Sequence, residues 1–230
     1  MYKTLARTVA ALSLIAVFSV PALAQHEYAE LVEQKINYKD WTFKSLKDGS
    51  MVNLRELTKG KKLVMVVYFA PWCGNWKFEA PLVARLYNDY KQHGFEVVAV
   101  SEYASVEETR KHFEAAGGVS YPVVIESEGR EARDQTTHYA YRQACGDGRR
   151  WGSPFNVFLE PARLNASGEV LTEKAWVVGG ELIEASAEKF IREKLGLGEK
   201  TEKAAAGKLV LKGETPCEDK PAAAGVAAKP

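Results

Sequence analysis

The chain has 230 residues, of which 46% are apolar and 27% are charged, and this composition is typical of a folded globular protein. It excludes a collagen-like chain, a chain that is disordered throughout and a protein with many membrane spans. Lys and Arg number 31 and Asp and Glu number 30, so no large positive field is available to hold a nucleic acid or an anionic membrane. We therefore expect no nucleic-acid partner.

The first 24 residues have the pattern of a signal peptide. Lys3 and Arg7 form a short positive region, residues 9–20 are an apolar run, and the following Pro-Ala-Leu-Ala ends in a small-residue cleavage pattern. The apolar run is shorter than the roughly 20 residues that cross a bilayer, which disfavours a membrane anchor. We expect cleavage after Ala24, and an exported protein, periplasmic or secreted, with no stable membrane span.

Two elements are predicted before the main sheet. Residues 27–39 (EYAELVEQKINYK) suggest a helix in which isolated apolar residues lie among charged ones. Residues 41–57 suggest a hairpin, with Asp48 and Gly49 as its turn. We assign residues 25–60 as an N-terminal extension made of this helix and hairpin.

The next part of the chain alternates between apolar runs of strand length and amphipathic segments. The apolar runs are rich in β-branched residues, which favours strands buried on both faces of a sheet. Strands are predicted at residues 63–70, 95–100 and 121–125, and helices at residues 74–92 and 105–116. This alternation predicts an α/β fold with right-handed crossovers.

The remaining elements are a polar segment that becomes helical toward its end, a glycine-rich loop, two strands and a closing helix, at residues 126–144, 145–150, 155–159, 170–178 and 182–195. Residues 198–230 are rich in Lys, Ala and Gly and poor in large apolar residues. Such a segment buries too little apolar surface to offset the entropy of ordering it, so we expect a mostly disordered tail.

The candidate chemistry lies in YFAPWCGNWKFEAP, residues 68–81. A buried strand delivers Cys73 to the first turn of a helix, where unpaired backbone N–H groups and the helix dipole stabilise negative charge on sulfur. The alternative, a small buried apolar residue, leaves the Pro-Trp-Cys-Gly run unexplained. The segment resembles the active site of thioredoxin-fold proteins, specifically the exported TlpA/ResA-like family. That family has the pattern WCxxC followed by xxExP, and Trp72, Cys73, Glu79 and Pro81 match it.

Two further segments extend the resemblance. Residues 152–159 (GSPFNVFL) are similar to the family's cis-proline loop and the strand after it, and residues 168–180 are similar to the hairpin before its last helix. The resemblance covers roughly residues 40–196 and implies a thioredoxin-like domain over residues 61–197. That domain has a central mixed sheet flanked by helices.

The same resemblance implies a substrate-docking edge. In the family, the cis-proline backbone faces the nucleophilic cysteine and bonds an extended substrate segment, so Ser153 and Pro154 inherit that role. A cis bond is plausible at Pro154 because the residue is proline, although a plain proline at a strand entry is also common. We expect Trp72 and Trp76, on the two sides of the thiol, to contact substrate as well.

One departure from the family bears on the reaction. Trp76 stands where the family has its second cysteine, so a substrate trapped on Cys73 has no adjacent thiol to release it. Cys145, in the glycine-rich loop, is the candidate replacement, and a Cys73–Cys145 disulfide is one hypothesis for its role. The alternatives for Cys145 are an incidental loop thiol or a structural bridge to Cys217. Cys217 lies in the tail, which permits a resolving role without arguing for one.

A role for Glu79 also follows from the resemblance. In the family, the corresponding glutamate lies near the active-site thiols and tunes their protonation. The alternative is a solvated helix glutamate. His138 and Cys145 make only two potential ligands, so no metal site is expected, and no cofactor is expected either.

These residues predict an exported thiol–disulfide oxidoreductase with one nucleophile, Cys73, resolved by Cys145 or an external thiol. Its partners would be protein thiols and disulfides or small thiols. The alternative is a redox-inactive thioredoxin-fold module that binds a protein partner. Peroxide reduction ranks lower, because peroxidases of the related fold have a Thr-x-x-Cys segment and Ala70 stands in place of that threonine.

Overall fold

A computed structural model describes residues 26–198 of the chain. The strands are β1 (Tyr28–Ala29), β2 (Val32–Lys39), β3 (Thr42–Ser45), β4 (Met51–Asn53), β5 (Leu63–Phe69), β6 (Phe95–Ser101), β7 (Val123–Ile125), β8 (Phe155–Leu159), β9 (Val170–Val178) and β10 (Glu181–Leu182). The α-helices are α1 (Leu54–Thr58), α2 (Gly74–Tyr90), α3 (Val106–Ala115), α4 (Thr137–Ala144) and α5 (Glu184–Leu195). Short 3₁₀ turns lie at Lys91–His93, Arg130–Gln135 and Pro161–Arg163.

Eight of these strands form one mixed sheet in the order β2-β9-β8-β5-β6-β7-β3-β4. Strands β5, β6 and β7 are parallel, while β8, β9, β2 and β3 run antiparallel to their neighbours. Helices α2, α3 and α5 contribute to the apolar cluster on one face, and α1 and α4 contribute to the cluster on the other. The predicted fold class, a central mixed sheet flanked by helices, is confirmed.

Strand β5 is buried along its whole length, and its side chains point alternately to the two faces of the sheet. Leu63, Met65, Val67 and Phe69 face the cluster under α2, and the residues between them face the cluster under α4. A strand buried on both faces has no polar side, which is why its sequence is a continuous apolar run. From residue 63 onward, the predicted strands and helices are confirmed, with most boundaries shifted by at most two residues.

Residues 27–39 form strands, and the prediction of a helix there is wrong. Strand β2 buries Ile36 and Tyr38 while Lys35, Asn37 and Lys39 point to solvent, which is the two-residue period of a half-buried strand. It pairs antiparallel with β9. The unpaired edge of β9 provides backbone partners that outweigh the weak helical propensity of a charged segment.

The predicted hairpin is confirmed as β3 and β4, joined by a turn at Asp48 and Gly49. Gly49 has φ of 73°, a left-handed conformation that favours glycine, and the Asp48 carboxylate accepts from the Ser50 backbone N–H at 3.1 Å. The second arm is shorter than predicted, because the Asn53 side chain caps the start of α1. The predicted extension therefore supplies both edges of the sheet, with β2 at one and the hairpin at the other.

Two predicted segments, the signal peptide and the tail with Cys217, lie outside the described residues, apart from Gly198 at the start of the tail. Between residues 26 and 198, no helix is both long and apolar enough to cross a membrane.

Candidate active site

Cys73 is the N-cap of α2, directly after the turn that follows β5. Its side chain is half-buried, and Sγ donates a hydrogen bond to the backbone oxygen of Ser153 at 3.1 Å. The turn is closed by the Cys73 backbone N–H, which donates to Ala70 at 2.9 Å. The predicted nucleophile therefore lies at a helix N-terminus and faces the residue that precedes Pro154.

The loop that faces the thiol is anchored to the end of β5. The Ser153–Pro154 peptide bond is cis. The Ser153 hydroxyl accepts a hydrogen bond from the Ala70 backbone N–H at 2.9 Å, and both residues are buried. This bond fixes the distance between the proline loop and the turn that carries Cys73.

The Trp76 side chain is fully buried, so the expectation that it contacts substrate is wrong. Its ring packs against Phe69 with 4.6 Å between ring centroids, and Nε1 donates to His112 Nε2 at 2.9 Å. Burial, together with the charge of Lys77, lowers the pKa of His112, consistent with the neutral ring that this bond requires. Position 76, one helical turn after Cys73, lies on the side of α2 that faces the sheet, and the Trp76 indole fills the space between them.

Glu79 is a buried carboxyl and not a solvated helix glutamate. Its Oε2 accepts from the Leu182 backbone N–H at 2.6 Å and from Asn156 Nδ2 at 3.5 Å, while Oε1 has no partner among the described residues. Burial raises the pKa of Glu79 to about 8, despite those hydrogen bonds. The carboxyl is therefore mostly protonated at neutral pH, and its hydrogen bonds go to β8 and β10, not to Cys73.

Two polar residues that the sequence did not single out, Asn156 and Glu181, lie beside Glu79. Asn156 is completely buried and bonds the Gly180 backbone oxygen at 3.0 Å. Glu181 is also buried, and its carboxylate contacts His26 Nδ1 at 3.0 Å. The sequence did contain a sign of the buried role of Asn156, because it is the one polar residue in the apolar run of β8.

Cys145 caps the end of α4, and its thiol packs on the cluster at the face of the sheet opposite to the one that Cys73 contacts. Both cysteines are free, so the hypothetical disulfide between them is not formed in this structure. Burial, with a smaller effect of the nearby Asp147 carboxylate, raises the pKa of Cys145 to about 11. A thiol with so small a thiolate fraction at neutral pH is a slow nucleophile.

A buried chain of hydrogen bonds, which the sequence did not reveal, connects Trp72, beside the thiol, with Gly152 in the proline loop. The backbone oxygen of Tyr103 accepts from Trp72 Nε1 at 3.1 Å, and the Tyr103 hydroxyl bonds His138 Nδ1 at 2.9 Å. His138 Nε2 lies 3.1 Å from the Gly152 oxygen, so this nitrogen carries the proton and Nδ1 accepts. Burial lowers the pKa of His138 to about 3, which keeps the ring neutral.

The proline loop also depends on Gly152, which has φ of 55° and packs against Arg142. We expect Gly152→Ala to lower the free energy of unfolding by about 2 to 4 kcal/mol, because an alanine is strained in this conformation and its Cβ overlaps the buried guanidinium. Chemical denaturation measures this effect. Gly148→Ala is the matched control, since its Cβ meets nothing within 4 Å, and an equal loss in both variants would contradict the packing argument.

The chain is similar in sequence to proteins of a known family. The AhpC/TSA family model matches residues 36–143. The thiol–disulfide oxidoreductase ResA of Halalkalibacterium halodurans is 32% identical over 123 residues, which cover 50% of this chain and 66% of the relative. ResA of Oceanobacillus iheyensis is 46% identical over 54 residues, covering 24% of this chain and 27% of the relative. The chain thus spans just under two thirds of the first relative's length and about a quarter of the second's.

A solved structure shows the same fold. The secreted thiol–disulfide isomerase of Corynebacterium glutamicum superposes with a TM-score of 0.50 at 14% identity, covering 69% of this chain and 85% of that one. At this identity the likeness concerns the fold alone.

Proposed function

Because the chain belongs to the thioredoxin-like AhpC/TSA family, we propose that it is an exported thiol–disulfide oxidoreductase whose single nucleophile is Cys73. The observation that carries the proposal is the 3.1 Å contact between Cys73 Sγ and the Ser153 oxygen. This contact puts the thiol beside the backbone of the proline loop, where a thioredoxin-fold protein holds an extended substrate. A disulfide docked there lies within reach of the sulfur.

The first step is an exchange. The Cys73 thiol gives its proton to solvent, and the thiolate attacks one sulfur of the partner's disulfide. The partner's S–S bond breaks, its second sulfur leaves as a thiolate and takes up a proton, and a mixed disulfide joins Cys73 to the partner. The Ser153 carbonyl, which accepts a hydrogen bond from the thiol at rest, orients Sγ toward the loop.

The second step uses an external thiol. A thiolate from solution attacks the partner sulfur of the mixed disulfide, which releases Cys73 as a thiolate and leaves a new disulfide on the partner. Two features support an external thiol over an internal one. The position of the second active-site cysteine is filled by the buried Trp76, and Cys145 packs on the opposite face of the sheet.

Glu79 supports the reaction by being neutral. A carboxylate below the start of α2 would oppose a thiolate by like-charge repulsion, and this repulsion is absent while Glu79 is protonated. With a pKa of about 8, the carboxyl is uncharged over most of the neutral range. In this proposal Glu79 is a positioning residue, because its hydrogen bonds hold β8 and β10 against the helix.

Removing the nucleophile tests the proposal. We expect Cys73→Ser to lower the rate of exchange between a peptide disulfide and glutathione to the rate measured without protein, because no other described thiol combines helix N-terminal placement with access to the loop. Cys145→Ser is the matched control and keeps the wild-type rate. Exchange that survives in Cys73→Ser would reject the assignment.

A second candidate is a redox-inactive binding module, which the loss of the CxxC pair favours. A cavity of about 740 Å³ lies beside α2 and β10, and Phe78 and Tyr28 on its wall expose 53% and 51% of their surfaces. Large exposed aromatic side chains at a cavity are typical of a surface that binds a partner. If this function holds, Cys73→Ser retains partner binding and wild-type protein has no exchange activity.

A further inference from the structure

A basic aromatic platform begins at Trp72, the residue before Cys73, and is made of Trp72, Trp151, Arg130, Arg133 and Arg150. The two indole rings meet edge to face, with 5.4 Å between their centroids. The Arg130 guanidinium lies 4.4 Å from the Trp72 ring and 5.8 Å from the Trp151 ring. Arg133 and Arg150 lie 5.7 Å and 5.3 Å from the Trp151 ring. These are cation–π distances.

The platform borders both halves of the reacting site. Trp72 immediately precedes Cys73, and Trp151 lies two residues before Ser153, whose backbone oxygen accepts a hydrogen bond from the thiol. Tyr103 holds both rings, since its backbone oxygen accepts from Trp72 Nε1 and its own ring lies 5.3 Å from Trp151. The two indole rings are thus held by the fold before any ligand arrives, which lowers the entropic cost of binding.

Two of the three cations make no ion pair in the described part of the chain. Arg133 pairs with Asp134 at 2.6 Å. Arg130 and Arg150 are exposed and have no carboxylate within ion-pair distance among residues 26–198. Glu128 and Glu131, next to Arg130 in sequence, are exposed as well and make no ion pair with it. Hydrogen bonds from Ser105 lower the pKa of the Glu108 carboxyl, and Arg130 adds a smaller effect. The guanidinium groups of Arg130 and Arg150 thus make no ion pair among the described residues and are available to the carboxylate of a ligand.

We propose that the platform binds acidic side chains that flank the disulfide of a polypeptide substrate; this inference rests on the proposed function of Cys73. Planar guanidinium groups match the two oxygens of a carboxylate, and their stacking on indole rings keeps them oriented. An extended peptide on the proline loop passes beside Trp151 and Trp72, which brings residues adjacent to its cysteine over Arg150 and Arg130. Charge complementarity of this kind mainly raises the association rate.

The test compares two peptide disulfides that differ only in having Glu or Gln on both sides of the cysteine. We expect the Glu peptide to form the mixed disulfide with Cys73 at least about tenfold faster at low ionic strength, and this advantage to shrink as salt is added. The double substitution Arg130→Gln, Arg150→Gln removes the advantage, so that the Glu and Gln peptides react at equal rates. Lys47→Gln, which removes an exposed charge on the β3–β4 hairpin, keeps it. Equal rates for the two peptides with wild-type protein overturn the proposal.

A binding arm separates this inference from the proposed function. Cys73→Ser protein is titrated with fluorescent versions of the same peptides in which Ser replaces the cysteine, so that no chemistry is needed. The platform predicts tighter binding of the Glu peptide, lost in the double arginine variant. Binding without any exchange by wild-type protein rejects the oxidoreductase and retains the platform. Exchange without preferential binding rejects the platform and retains the oxidoreductase.

Discussion

Trp76→Cys is expected to release a substrate trapped on Cys73 at least about a thousandfold faster than the wild-type protein does at micromolar external thiol, because the resolving attack becomes intramolecular. Position 76 is three residues after Cys73 on α2, so the two side chains lie on neighbouring turns of the helix. Excess disulfide then yields an internal disulfide in place of a persistent mixed disulfide. Rapid quenching with acid, followed by intact mass measurement, gives both rates.

The same substitution removes a fully buried indole. We expect it to lower the free energy of unfolding by about 3 to 5 kcal/mol through lost burial and the cavity left beside Phe69. Trp76→Ala is the control, since it loses similar stability and gains no thiol. If folded Trp76→Cys protein keeps its mixed disulfide as long as Trp76→Ala does, the view that this position replaced a resolving cysteine is wrong.

Glu79→Gln is expected to stabilise the protein at alkaline pH. Glu79 has a pKa of about 8 in the folded chain and one of about 4.3 when unfolded. Between these values the folded state holds the proton and the unfolded state has lost it, so stability falls as pH rises. Between about pH 6.5 and 8 this costs about 2 kcal/mol, since one pKa unit corresponds to about 1.4 kcal/mol. Glutamine keeps the acceptor for Leu182 and removes the ionisation.

Between about pH 6.5 and 8, the other buried groups do not distinguish wild type from Glu79→Gln, because they titrate outside this range or contribute equally to both proteins. His138 has a pKa of about 3 when folded, so the stability that it contributes is lost as pH falls below about 6.5, which opposes the effect of Glu79 there. Burial also raises the pKa of Glu102, and this slope is common to wild type and variant. Denaturation at several pH values measures the difference, with exposed Glu114→Gln as control. Parallel curves for wild type and Glu79→Gln would contradict a buried, protonated Glu79.

Much of the fold was predictable because its strands are buried on both faces. The apolar runs that became β5 and β6 are short and rich in β-branched residues, which favours strands over helices. The AhpC/TSA family model that matches residues 36–143 agrees with the thioredoxin-like resemblance of the Cys73 segment. The helix predicted over residues 27–39 failed because its pairing partner, β9, lies more than 130 residues later. Local propensity cannot detect a partner so distant in sequence.

The site was predictable only where the type of one residue, such as a cysteine or a proline, indicates its role by itself. Cys73 and the proline loop lie together as expected. The burial of Trp76 was not foreseen, because the face that a helix turns to the sheet depends on packing and not on the residue's size. The Tyr103–His138 chain joins residues 35 apart through side chains alone, and no spacing pattern encodes such a contact.

The central claim is that Cys73 is a nucleophile without a resolving thiol beside it. Intact mass measurement and peptide mapping after exposure of the wild-type protein to excess glutathione disulfide test it most directly. We expect one glutathione on Cys73, persistent until an external thiol is added and equally persistent in Cys145→Ser. An unmodified Cys73, or an internal disulfide that displaces the glutathione without added thiol, would contradict the account.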